Sequence, residues 1–189
     1  VIGVSPQLAI RLTLLGVVAV ILQVSAVTQI QIVGVNADIV PLTVASVGLL
    51  CGSLNGAALG FFAGLFVDMA LFQTLGVNSL LLLTVGYLAG RLREMRDPQG
   101  AAIPMAVGGA ATAIGVGGYA LLQFLLGVDA PVSFLLLGQV LLTVVVNVIV
   151  AVPVHAFVRR WLLPALPDDP RRRRRRAYTT GGLSPLSRA

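Results

Sequence analysis

Apolar residues fill six long stretches of this chain, 8–27, 38–52, 55–73, 77–92, 101–126 and 132–153, with few polar side chains inside them. Most reach the ~20 residues that a helix needs to cross the hydrocarbon of a bilayer. The second is short and carries Pro41 near its start. Beyond the sixth, Pro153 is followed by Val154, Phe157, Val158, Trp161 and Leu162 on one helical face, with His155, Arg159 and Arg160 elsewhere. That pattern predicts a kink and then a short amphipathic helix lying on the inner membrane surface. Pro164, Pro167 and Pro170 stop it. Residues 1–163 therefore read as a membrane bundle ending in an interfacial helix, and residues 164–189 as a disordered basic cytoplasmic tail.

Charge sets the threading. All thirteen basic residues are arginine: Arg11, the set Arg91, Arg93 and Arg96, the pair Arg159 and Arg160, and the tail residues Arg171 to Arg176 and Arg188. Positive residues stay on the cytoplasmic side. Six crossings from a cytoplasmic N-terminus put every one of them inside, and leave the outer loops near 28–37, 73–77 and 127–131 without arginine. Five crossings would split the 91–96 cluster from the tail. Tyr87 precedes Arg91 as an interfacial aromatic would. The expected topology is thus a membrane crossed six times with both ends in the cytoplasm.

Within the third stretch, Gly56, Gly60, Gly64 and Asp68 sit four apart, and Asp68 is the sole charge between Asp38 and Arg91. At about 1.5 Å rise and 100° per residue, that spacing draws one slanted stripe along a helix. Small residues on such a stripe let a second backbone come close. The expected role is packing within this chain, with docking of a partner helix as the alternative. Gly108, Gly109, Gly115, Gly117 and Gly118 make the fifth stretch the expected neighbour.

Asp68 lies roughly 7 Å below the outer end of its helix, and Gln23, Gln123 and Gln139 fall within about 6–10 Å of the same boundary. Asn78 begins the fourth stretch nearby. These residues predict an outer polar layer with Asp68 as its ionisable member. It either locks the bundle by hydrogen bonds, since buried polar groups in lipid must find partners, or opens outward to a ligand or partner helix. Asn147 is too deep for Asp68 and is expected to bond inside the bundle.

Composition narrows the classes. The chain has 189 residues, 57% hydrophobic and 11% charged, with a mean hydropathy of +0.97. A soluble domain of that size carries far more polar surface, so this is an integral membrane protein. The first apolar run is long and is followed by further spans, which reads as a crossing and not a cleaved leader. One cysteine, Cys51, excludes an internal disulfide, and one histidine argues against multi-histidine metal chemistry. No Gly-Lys-Ser/Thr phosphate loop, His-Glu-x-x-His or paired-acid cluster is present, so neither catalysis nor a cofactor or metal is expected. The run Arg171, Arg172, Arg173, Arg174, Arg175 and Arg176 suits an anionic leaflet at about 1 kcal/mol per residue. It lacks the interleaved aromatics of a nucleic-acid site.

Across residues 36–93 the pattern Asn36-Ala37-Asp38, Gly56-x-x-x-Gly60-Phe61-x-x-Gly64-Leu65-x-x-Asp68, Gly76 and Gly86-Tyr87-Leu88-Ala89-Gly90-Arg91 resembles the bacterial rod-shape-determining MreD family. The resemblance implies a non-enzymatic scaffold of the cell-elongation, lateral peptidoglycan-synthesis machinery in the bacterial plasma membrane. It would act beside the bitopic scaffold MreC, the MreB filament and a RodA-type glycosyltransferase with its transpeptidase. It also implies an all-α, six-transmembrane-helix bundle similar to the substrate-binding S components of energy-coupling factor transporters. The chain departs from the family in having Ala37 before Asp38, with proline later at Pro41, and Cys51 and Gly52 where arginine is common. The alternative is a solute-binding transport subunit of the S-component kind. The first stretch reads Leu15, Ala19, Gln23 and lacks the small-xxx-small pattern those proteins use for docking. A binder of a lipid carrier is a third possibility.

Overall fold

The computed structural model describes residues 6–25, 31–32, 35–36, 38–95, 102–127 and 134–165. Its helices are α1 (Pro6–Ser25), α2 (Ile39–Cys51), α3 (Ser53–Ala70), α4 (Val77–Met95), α5 (Ala102–Thr112), α6 (Gly118–Leu125) and α7 (Phe134–Leu162). A π-helical turn, Ala113–Gly117, joins α5 to α6, so the two form one rod. Between α1 and α2, β1 (Gln31–Ile32) and β2 (Val35–Asn36) pair antiparallel in a two-residue ladder. The protein is otherwise all-α. Four rods, α1, α3, α5 with α6, and α7, are long and apolar enough to cross a membrane.

Proline marks where helices begin. Pro6, Pro41 and Pro104 all lie in the first turn of their helices, where a missing N–H removes no helical hydrogen bond. Between α2 and α3 one residue suffices. Gly52 takes φ +93°, a conformation that side chains disfavour, and the chain reverses there.

Contacts fix how the rods run. Gly56 of α3 faces Gly86 of α4, Gly60 faces Leu82 and Gly64 faces Ser79, so α3 and α4 are antiparallel. Gly108 of α5 meets Ala151 of α7, and Thr112 meets Asn147, which is again antiparallel. Arg11, near the start of α1, donates to the Trp161 carbonyl near the end of α7 at 2.8 Å. Successive rods therefore alternate in direction, and Arg11, Arg91, Arg93, Arg159 and Arg160 share one end of the bundle, the basic end. Asp68 lies at the other.

The centre is α2. Val40 and every residue from Leu42 to Leu49 are buried, because α1, α3, α4, α5 and α7 all pack on it. A helix enclosed on every side has no amphipathic stripe, and its apolar run shows none.

Past the sixth apolar stretch the helix does not stop, and α7 continues through Pro153 as one element of 29 residues. Proline removes one helical hydrogen bond. Beyond it, however, Val158 and Leu162 are buried in the core cluster with Leu8 and Leu12 of α1. That burial holds the last turns in place. At about 43 Å by helical rise, α7 exceeds the ~30 Å hydrocarbon layer and projects past it at the basic end. The tail from residue 166 onward lies outside the described residues.

The neighbour of the glycine stripe is not the one expected. It is α4, whose own Gly86 and Gly90 answer Gly56 and the start of α3. The glycines of the fifth rod go elsewhere: Gly108 and Gly109 to α7, and Gly118 to Leu81 of α4. A Cβ at Gly60 would fall on the Leu82 carbonyl oxygen, which is backbone and cannot swing away. Gly60→Ala should therefore lower stability by about 1–3 kcal/mol, while Gly117→Ala, which meets nothing within 4 Å, should be neutral. Thermal unfolding of the two variants in detergent checks the contrast.

Candidate functional site

Two polar clusters lie at the end of the bundle opposite the arginines, and each solves a backbone problem. The first is a clasp at the α3–α4 turn. Asp68, fully buried at the end of the glycine stripe, accepts the Gly76 N–H on Oδ2 at 2.8 Å and Asn78 Nδ2 on Oδ1 at 2.7 Å. Asn78 Nδ2 also donates to Gln73 Oε1 at 3.1 Å, and Gln73 N–H donates back to the Asp68 carbonyl at 3.0 Å. Gly76 has φ +95° and its carbonyl accepts the first intrahelical bond of α4, from Leu80. The carboxylate thus sits at the positive N-terminus of α4 and occupies donors that the helix leaves open. It fixes the turn that lets α3 and α4 lie backbone to backbone.

The second cluster ties four helices together. Asp38 precedes α2 in an extended conformation, and its side chain makes no cap. Instead its N–H donates to Asn147 Oδ1 of α7 at 3.0 Å, and the Ile39 N–H donates to Gln23 Oε1 of α1 at 2.7 Å. Gln23 Nε2 then reaches Asp38 Oδ1 at 3.0 Å. Asn147 Nδ2 donates to Thr112 Oγ1 at 3.0 Å, and that hydroxyl donates to the Gly108 carbonyl at 2.9 Å. Asn147 and Thr112 are both fully buried.

The outer polar residues therefore do not form one layer around Asp68. Gln23 turns to the start of α2, where it accepts the Ile39 N–H and donates to Asp38 Oδ1. Gln123 pairs with Tyr119, one helical turn away, at 2.7 Å. Gln139 belongs to α7, but its side chain lies outside the described residues, as do Arg171 to Arg176. Asn147 bonds inside the bundle, as its depth requires. Asp38 was missed as a site residue, although its isolation ahead of an apolar run signals a helix start. Its partners on α1 and α7 are far off in sequence.

At the basic end, Glu94 Oε1 accepts Ser53 Oγ at 2.6 Å and the Ser53 N–H at 3.2 Å, closing the start of α3. Among the described residues, no three His, Cys, Asp or Glu side chains converge as a metal site would need.

Two hollows remain. An apolar groove of about 630 Å³ runs between α1 and α3, with small residues such as Ala9, Gly16, Ala58 and Ala63 beside Phe62 and Phe66. A smaller cavity of about 260 Å³ lies between the two polar clusters and touches both, through Asp38 and Gln23 on one side and Asn78 and Gln73 on the other.

Replacing Asp68 by asparagine would set an NH2 group against either the Gly76 N–H or the Asn78 amide. Asp68→Asn should cost about 1–3 kcal/mol, read as a lower unfolding temperature and faster proteolysis in the 71–76 turn.

Comparison with curated proteins and with solved structures gives no match. Residues 7–161 match the family described as rod shape-determining protein MreD, a span that takes in every described helix almost whole. With the glycine stripe, the buried acid and the all-α membrane bundle in place, the chain belongs to the rod shape-determining MreD family.

Proposed function

We propose that this protein serves rod-shape determination as a non-enzymatic scaffold, holding partners by helix contacts within the membrane. The observation that carries this reading is the α1–α3 groove. The stripe of Gly56, Gly60 and Gly64 is covered by α4, so it is not available to another protein. The opposite side of α3 is open: Phe62 is 67% exposed and Met69 54%, and Ala58 is exposed between them and α1. Small residues on a groove floor with aromatic walls suit close approach of one more helix, where packing and not hydrophobicity drives association. The occupant is the single membrane helix of an MreC-like scaffold. Through it the bundle would join the MreB filament and a RodA-type glycosyltransferase with its transpeptidase.

Orientation follows from the basic end. With the five described arginines gathered there, that end would face the cytoplasm. Arg171 to Arg176 would then lie against anionic lipid. A reporter enzyme active only in the periplasm should stay silent when fused to either terminus, and activity at the C-terminal fusion would refute this threading.

Ala58→Phe fills the groove on a surface that otherwise meets lipid. The variant should unfold within about 0.5 kcal/mol of the parent. Its association with a co-expressed MreC-like scaffold should fall about tenfold or more, ~1.4 kcal/mol, measured by co-purification and by cysteine cross-linking across the groove. Undiminished association would place the partner elsewhere.

A further inference from the structure

The cavity between the two polar clusters has a chemistry that the scaffold role does not use. We infer that it is a binding site for a small organic cation, an ammonium-bearing solute held by the Asp38 carboxylate. It shares no lining residue with the groove between α1 and α3.

Charge excludes the opposite sign. Asp38 is the one ionisable acid among the described lining residues, and no arginine or histidine lines the cavity. The start of α2 would normally attract an anion. Here its N–H groups at 38 and 39 are already taken by Asn147 Oδ1 and Gln23 Oε1. The described arginines lie at the far end of the bundle, so the cavity mouth carries no positive charge from them.

The remaining groups accept or stack. Asp38 Oδ1 takes a bond from Gln23, and among the described residues Oδ2 receives none. Gln73 and Asn78 bring amides already oriented by Asp68. Tyr119 accepts from Gln123, so its oxygen is held in place, and its ring adds an aromatic wall of the kind that favours ammonium groups. Gly115 and Val116 of the π-helical turn also line the cavity. Such turns widen a helix locally and recur at functional sites. A volume of about 260 Å³ is below the roughly 300–1,000 Å³ of pockets for drug-sized ligands, which limits the occupant to a compact solute.

The test uses the full chain in dodecyl maltoside, a detergent without amines, with ethanolamine as probe at pH 7. Ethylene glycol serves as the neutral isostere, acetate as the anion and sodium chloride as the salt control. Ethanolamine should raise the unfolding temperature saturably by about 2–4 °C, and the other three should not. Asp38→Asn should abolish the rise while keeping an oxygen for Gln23. Gly115→Leu is the second variant, because a Cβ there meets only the Pro41 ring at 3.8 Å. It should fold as the parent does, fill the cavity from the π-helical turn, and also lose the response. No rise in the parent, an equal rise with ethylene glycol or sodium, or a rise surviving in either variant would overturn the site. Each of these outcomes leaves the groove and its association assay untouched.

Discussion

A helix of thirteen residues, about 20 Å long, cannot reach across ~30 Å of hydrocarbon, and α2 is such a helix, enclosed at the centre of the bundle. Its C-terminus is at the basic end beside Ser53 and Glu94, so its N-terminus stops short of the opposite end of the longer rods, with N–H groups left open there. Side chains from the surrounding rods take them up. Gln23 comes from α1 and Asn147 from α7, and Asn147 is held in turn by Thr112 of α5. Four helices are thereby fixed at one level. The smaller cavity lies beside the first turn of α2, where Asp38, Val40 and Pro41 line it.

A second constraint governs α3 and α4. Their backbones lie so close that a single methyl group on the stripe would strike a carbonyl. Lipid offers little penalty for separating two apolar helices, so contact of this kind depends on dispersion and on geometry held in register. Register comes from both ends. Asp68 clasps the turn at one, and Glu94 closes the start of α3 on α4 at the other. The acid that first suggests a functional group is therefore a positioning residue, whose charge is matched by a helix N-terminus and an amide.

These two constraints decide what is left over for function. With α2 enclosed and α3 locked to α4, the apolar outer faces of the surrounding rods stay exposed, that of α3 at Phe62 and Met69 among them. The small cavity at the Asp68 end is likewise a consequence of packing, lined by whatever the clusters leave facing it.

Much of this was legible in the chain. Hydrophobic run lengths gave the rods, since crossing a bilayer imposes a minimum that composition alone reveals. Arginine placement gave their alternation, because a misplaced guanidinium in lipid is costly. The four-residue stripe showed that α3 must meet a backbone, and the Gly-Phe-x-x-Gly-Leu-x-x-Asp motif pointed to the family. Spacing does not say which backbone, however. The choice of α4 over the glycine-rich fifth rod depends on the one-residue turn at Gly52 and on the clasp at Gly76. The pairing of Gln23 with Asp38 instead of Asp68, and the continuation of α7 as helix beyond Pro153, were likewise decided by tertiary structure. Hydrogen-bond partners are chosen by distance in space, and burial of Val158 and Leu162 outweighs a local proline preference. Local chemistry fixes what each helix needs, and only packing fixes who supplies it.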